Sequence, residues 1–180
     1  GRLPSQNEGE NLAPWAAFGQ ANQLYTPLQL ANYIATLSGG GDRYTTHLLK
    51  NVRESGTGAL EYVYDAEPVQ TIAMSEENLS AVLAGMHDLA TDGAVSQYFK
   101  DCIVDAAAKT GTVQTGDTKN NNGAFVCFAP YDDPQIAVAI VIEKGGTGAA
   151  LASTAVQVLN AYFSNAAANT TVTGENTLLG

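Results

Sequence analysis

Basic residues are scarce in this chain. Its 180 residues include 8 Lys and Arg against 18 Asp and Glu, which gives a formal net charge of −10. No cluster of Lys or Arg occurs in the sequence, and proteins that bind nucleic-acid backbones or anionic lipid surfaces rely on such clusters. The composition therefore argues against both kinds of partner, and we expect no nucleic acid among the ligands.

Cysteines and long apolar runs are equally scarce. Cys102 and Cys127 lack the spacing of a metal site, and we expect neither a metal ion nor another cofactor. Cys127 alternates with large apolar residues, which favours a small core residue over a disulfide partner of Cys102. No run of about 18 apolar residues exists, and Gly1–Ser5 shows no export signal. The sequence therefore predicts no membrane span and a chain that is soluble by itself.

The remaining composition is that of a folded domain. With 45% hydrophobic and 14% charged residues, the chain can bury a core, and its 180 residues make one domain or a large part of one. Apolar periodicity and turn residues predict helices at 27–37, from 75 to a stop at Gly93, and at 149–163, and strands at 61–64, 69–73, 103–113, 123–130 and 136–142. The polar residues 164–180 are predicted to form a loosely ordered tail.

Patterning also predicts where some elements lie. The helix at 27–37 has apolar residues around most of its circumference and should be buried on most sides. Residues 136–142 are apolar at every position, which predicts a central strand with helices on both faces. Residues 103–113 are small and polar instead, which is typical of an edge strand that lines a cleft, where an extended ligand can add itself to the sheet.

The most informative segment is Lys109-Thr110-Gly111-Thr112, at the end of that edge strand. A glycine permits close backbone approach, and a cation flanked by hydroxyl groups suits a carboxylate ligand. The alternative is a lysine that extends from a sheet edge into water without a function. The sequence around the motif decides between these interpretations.

The order of Lys-Thr-Gly strand, strand, strand and helix resembles the C-terminal part of the transpeptidase domain of class B penicillin-binding proteins. Further segments fall in that family's order: Gly1-Arg-Leu-Pro-Ser5, Phe18-Gly-Gln20, Leu24-Tyr-Thr-Pro-Leu-Gln-Leu-Ala31, Gly85-Met86, Phe128-Ala-Pro130 and Glu143-Lys-Gly-Gly146. The turn Asp132–Gln135 and the Gly-Gly-x-Gly before the last helix favour the elongation-type subgroup. Ala21, where a second glycine is usual, departs from the pattern, and so does Ala124, where an aromatic residue often precedes the Phe.

The resemblance implies an α+β fold, an antiparallel sheet flanked by helices as in β-lactamases and transpeptidases. The fold would be incomplete in this chain, because residues 1–163 would form only the C-terminal portion of the domain. Lys109, Thr110 and Thr112 would bind the substrate's terminal carboxylate, and the Thr112 backbone N–H would supply half of the oxyanion hole. The parent enzyme would cross-link peptidoglycan stem peptides at the extracytoplasmic face of the bacterial cell membrane and be trapped by β-lactams. The N-terminal half of the same domain is the implied protein partner.

The family's nucleophile is missing from this chain. In that family a Ser-x-x-Lys motif supplies the attacking serine and its base. None of the serines, at positions 5, 38, 55, 75, 80, 96, 153 and 164, has a lysine three residues on. Ser5-Gln6-Asn7 has the letters of the second family motif, Ser-x-Asn. Its serine, however, closes the Gly-x-Leu-Pro-Ser segment, which the family places well after its true Ser-x-Asn loop. The chain alone is therefore predicted to be inactive.

Three other interpretations stay open at the level of sequence. The parent could be a serine β-lactamase or a β-lactam sensor, and the chain could instead be a stand-alone, non-catalytic binding module. A Ser-x-x-Lys upstream of Gly1 would indicate an enzyme, and its absence would favour the binding module. His47 and His87 have no partners for a catalytic triad and are predicted to be structural or surface residues, with Asp105 as a possible structural partner on the cleft-side strand.

Overall fold

The computed structural model describes residues 23–114 and 121–169, together with Pro14, Ala16 and Gly19. Its helices are α1 Pro27–Ser38, α2 Glu76–Thr91, α3 Ser96–Phe99 and α4 Ala152–Asn169, the last preceded by a 3-10 turn, Gly148–Leu151. Its strands are β1 Asp42–Arg43, β2 Asn51–Arg53, β3 Leu60–Val63, β4 Gln70–Thr71, β5 Ala107–Val113, β6 Asn122–Ala129 and β7 Ile136–Ile142. Within the described residues, none of the helices has the length and apolarity needed to cross a membrane.

The first helix begins where the sequence predicts. The Thr26 hydroxyl accepts a hydrogen bond from the Gln29 N–H at 3.2 Å, and the Gln29 side chain accepts one from the Thr26 N–H at 3.0 Å. This reciprocal capping satisfies two N–H groups that the helix itself leaves free. Pro27 opens the first turn, where its missing N–H costs nothing. The second helix likewise starts after Ser75, whose side chain accepts from the Asn78 N–H.

The main sheet is antiparallel, in the order β5-β6-β7. The described residues do not show the predicted central position of residues 136–142, because β6 lies in the middle and β7 is an edge of the described sheet. Ile136 and Val138 pack against the core on one face of the sheet, and Ala137 packs on the other. The apolar pattern correctly indicated cover on both faces of this strand. A pattern of side chains carries no information about which strands pair at the backbone edges.

The two faces of the sheet carry separate hydrophobic clusters. On one face, Phe125 and Cys127 pack with Leu159 of α4. On the other, Phe128 packs with Ile34 of α1 and with α2. The predicted α+β class, an antiparallel sheet flanked by helices, is confirmed.

The described residues leave one side of α1 uncovered, contrary to the prediction that it is buried on most sides. Ile34 is 3% exposed, whereas Leu28 is 60% and Tyr33 61% exposed. The helix packs one side on the sheet, and β1 and the Tyr44 carbonyl oxygen contact it elsewhere, but the described residues leave Leu28 and Tyr33 largely exposed.

Two element ends also differ from the prediction. The Lys-Thr-Gly strand begins at Ala107 rather than at 103. The last helix continues beyond 163 to Asn169, into the segment predicted to be a loose tail. Residues 170–180 of that segment lie outside the described residues.

The core position predicted for Cys127 is confirmed, since its exposed fraction is 0% and both cysteines are free thiols. Burial raises the pKa of Cys127 to about 12, with a smaller contribution from nearby Cys102. We expect iodoacetamide at pH 8 to leave Cys127 unmodified in the folded protein, because only a thiolate reacts. Cys102, whose pKa is also raised by burial, should react slowly. Peptide mass spectrometry with and without guanidinium tests this; labelling of Cys127 at the unfolded rate in the folded protein would contradict it.

Candidate functional site

The Lys109–Thr112 motif lies on β5, an edge strand of the described sheet. Lys109 pairs with Val126 of β6, and Thr112 pairs with Gly123. Successive side chains of a strand alternate between its two faces. Ala107 packs with α1 and α2, and Ala108 packs with α4. Lys109 therefore shares the α1 and α2 face with Gly111, whereas Thr110 and Thr112 share the α4 face.

Lys109 presents its charge at the surface of this edge. The side chain is exposed, and its Nζ donates to the Thr110 carbonyl oxygen at 2.8 Å. An ammonium group has three donors, so two remain available in this conformation. Among the described residues, no carboxylate forms an ion pair with Lys109. The arrangement offers an uncompensated cation beside a free strand edge.

Gly111 leaves open space on the same face as Lys109. A Cβ built at Gly111 would meet only ordinary contacts, 3.4 Å to the Ala124 Cβ and 3.7 Å to the Ala124 carbonyl oxygen. Its backbone angle φ lies outside the left-handed region that favours glycine. Nothing in the described structure thus requires glycine at this position, and its effect is to keep the strand surface bare.

Thr112 contacts the turn before the last helix. Its Oγ1 accepts a hydrogen bond from the Gly148 N–H at 3.2 Å. The structure therefore does not bring the two threonine hydroxyls and Lys109 together on one face of the strand. A ligand that lies along the edge of β5 would contact side chains from both faces, so the edge is where these groups converge. The sequence does not predict the contact with Gly148, although Gly148 belongs to the Gly-Gly-x-Gly segment that resembles the family.

Both histidines make contacts with residues outside the motif. His87 of α2 has its Nε2 2.9 Å from each carboxylate oxygen of Asp105, and its ring stacks on Tyr131 at 4.2 Å between centroids. This pair ties α2 to the segment before β5. His47 stacks on Tyr64 with centroids 3.5 Å apart. Neither histidine contacts a serine in the described structure, and the predicted structural roles fit these contacts.

A cavity of about 540 Å³ lies beside α1, away from the motif. Its lining is mostly apolar with a few polar groups, and includes Tyr25, Leu30, Tyr33, Arg43 and Ile72. It is part of the uncovered side of α1, and none of the residues 109–112 lines it. Ser5, the serine of the Ser-x-Asn look-alike, lies outside the described residues.

Comparison with known proteins places this geometry in a family. Residues 1–163 match the family described as the penicillin binding protein transpeptidase domain. Penicillin-binding protein 2A of Bacillus subtilis is 34% identical over 139 residues, which cover 70% of this chain and 19% of that protein. Peptidoglycan D,D-transpeptidase MrdA of Escherichia coli is 29% identical over 158 residues, or 79% of this chain and 25% of that protein.

A solved structure is similar over the same extent. The crystal structure of Pseudomonas aeruginosa PBP2 in complex with WCK 5153 superimposes with a TM-score of 0.64 at 29% identity, covering 80% of this chain and 32% of that chain. The transpeptidase-like fold predicted from the sequence is confirmed. The chain spans only 19% and 25% of the length of the two relatives named above.

Proposed function

This chain belongs to the penicillin-binding protein transpeptidase family, and from that premise we propose that it is the C-terminal portion of a class B, elongation-type peptidoglycan D,D-transpeptidase domain. The observation that carries the proposal is the Lys109–Thr112 motif on an open strand edge. There Gly111 leaves room for a ligand, and the ammonium of Lys109 has no carboxylate partner among the described residues. The parent protein would act on peptidoglycan outside the cytoplasm.

Each motif residue has a distinct task in this proposal. Lys109 attracts the terminal carboxylate of the stem peptide, or of a β-lactam, by charge. Gly111 lets the ligand backbone approach the edge of β5 as an added strand. The Thr112 backbone N–H donates to the oxygen that becomes negative when the acyl carbon turns tetrahedral. The Thr110 and Thr112 hydroxyls contribute to carboxylate binding from the other face.

The nucleophile would come from the N-terminal portion of the same domain. A serine there attacks the D-Ala-D-Ala peptide bond, releases the terminal D-Ala, and transfers the acyl group to an amine of a second stem peptide. The uncovered apolar side of α1, which includes Leu28 and Tyr33, and the unpaired edge of β7 in the described sheet are surfaces suited to that portion. Both features support the proposal that the chain alone is an incomplete site.

We expect the isolated chain to form no covalent adduct with benzylpenicillin, and the longer protein that contains it to gain one adduct per molecule. Acyl-enzyme formation needs a serine activated by a neighbouring base, and no serine here has a lysine three residues on. Intact-mass spectrometry after incubation measures the adduct directly. A stoichiometric mass increase on a serine of the isolated chain would contradict the proposal.

The same experiment separates the alternatives. Rapid loss of the adduct from the longer protein would indicate hydrolysis, and therefore a β-lactamase. A lasting adduct in a protein that transfers no acyl group from a D-Ala-D-Ala stem peptide to an amine acceptor, measured in a separate assay, would indicate a β-lactam sensor. Absence of an adduct in both proteins would favour a stand-alone binding module.

A further inference from the structure

The backbone of Gly148 lies directly against the motif strand, on the α4 face, opposite to the face that carries Lys109. Gly148 is buried at the start of the 3-10 turn. A Cβ built there would overlap the carbonyl oxygens of Gly111 and Ala124, and it would lie 2.8 Å from the Gly111 nitrogen. Real Cβ atoms do not approach backbone atoms this closely, and backbone cannot move aside as a flexible side chain can. Any residue other than glycine at 148 therefore forces the turn and the strands β5 and β6 apart.

Hydrogen bonds hold this turn against the two strands. The Gly148 N–H donates to the Thr112 Oγ1 at 3.2 Å. The Lys144 N–H donates to the Asn122 Oδ1 at 2.9 Å, and the Gly146 N–H donates to the Asn121 carbonyl oxygen at 2.9 Å. Residues 144–148, which lead into the 3-10 turn, thus contact β5 at the motif and the chain at the start of β6. Their position sets how far the motif strand stands from the last helix.

The two faces of β5 differ at the level of Gly111. On the face that carries Lys109, a methyl group on Gly111 would make ordinary contacts at 3.4 Å or more. On the other face, a methyl group on Gly148 would overlap the Gly111 backbone. The space beside Gly111 is therefore free for a ligand. The space beside Gly148 is filled by the backbone of the motif strand.

We propose that Gly148 is a positioning residue for acyl transfer: its bare backbone and its N–H hold the Thr112 backbone N–H where the oxyanion develops. The inference rests on the proposed function. A backbone N–H has no freedom of its own, so it follows every displacement of the strand. Lys109 differs, because its flexible four-carbon stem lets the ammonium reach a ligand after a small shift of β5.

This difference predicts which kinetic constant changes. In the full-length protein, Gly148→Ala should lower the first-order rate constant of acylation by benzylpenicillin about tenfold or more, since small misplacements of catalytic groups cost that much. The dissociation constant of the complex that precedes acylation should change less than about threefold, because Lys109 still binds the carboxylate. Stopped-flow acylation over a range of benzylpenicillin concentrations separates the two constants.

The control variant is Gly85→Ala, on α2, where a Cβ meets no atom within 4 Å; both of its constants should equal those of the unaltered protein. A merely structural role of Gly148 would reduce the amplitude of acylation, as less protein folds, and leave the rate constant of the folded fraction unchanged. That result, or an equal loss in both constants, would overturn the proposal.

Hydrogen exchange supplies a readout that needs no reaction. Thr112→Val removes the acceptor of the Gly148 N–H and nearly preserves side-chain volume, so exchange at Gly148 should become about tenfold faster even if Gly148→Ala does not fold. Unchanged exchange would overturn the proposal. A full-length protein that benzylpenicillin does not acylate would refute the proposed function, and exchange would still decide whether Gly148 and the motif strand are coupled.

Discussion

Replacement of Lys109 by alanine in the full-length protein is expected to slow acylation by benzylpenicillin on the order of ten- to a hundredfold, the effect of losing one charge-assisted contact in the transition state. Lys109 is exposed, and no carboxylate pairs with it among the described residues. Its removal should therefore leave the melting temperature nearly unchanged. Acylation kinetics and thermal unfolding of the same preparation test both parts.

Two companion variants sharpen that experiment. Lys109→Arg keeps the charge and should retain more activity than Lys109→Ala, although its planar group presents donors differently. Thr112→Val should cost less than Lys109→Ala, since the Thr112 backbone N–H survives. If Lys109→Ala lowered the melting temperature and left acylation unchanged, Lys109 would be a structural residue of the sheet edge.

The sequence predicted the elements around the site well because local chemistry determines them. Thr26 with Pro27, and Ser75 with its acidic neighbours, cap their helices through contacts that span only three residues. The strand at 136–142 was predicted with the bounds that the structure has. The edge position of the Lys-Thr-Gly strand also followed from composition, since small and polar residues suit a strand with one open side.

What the sequence could not predict depends on contacts between distant segments. The place of β7 at an edge of the described sheet depends on which strands pair, and its side chains do not encode this. The uncovered side of α1 has the same apolar composition as a buried one, so exposure of Leu28 and Tyr33 could not be predicted. The contact of Gly148 with Gly111 joins residues far apart in the chain, and glycine has no side chain whose pattern could reveal it.

Gly111 and Gly148 differ in the space around them, because a methyl group fits at Gly111 and overlaps backbone atoms at Gly148. Gly111→Ala in the full-length protein should leave the free energy of unfolding within about 0.5 kcal/mol of the unaltered value, as for a substitution that meets only ordinary contacts. The added methyl group would stand on the face that carries Lys109, beside the strand edge and 3.4 Å from the Ala124 Cβ. It would hold the ligand away from the edge of β5, where the carbonyl carbon must meet both the nucleophile and the Thr112 N–H.

Acylation by benzylpenicillin should therefore fall on the order of a hundredfold, the cost of misplacing a reacting group by about 1 Å. Denaturant unfolding and acylation kinetics of Gly111→Ala, measured beside Gly85→Ala as the matched glycine-to-alanine control, test the two halves separately. Full acylation in a stable Gly111→Ala protein would mean that no ligand approaches this face, and the strand-edge site would be wrong. Loss of stability with normal acylation of the folded fraction would mean that Gly111 is required by packing that the described residues do not contain.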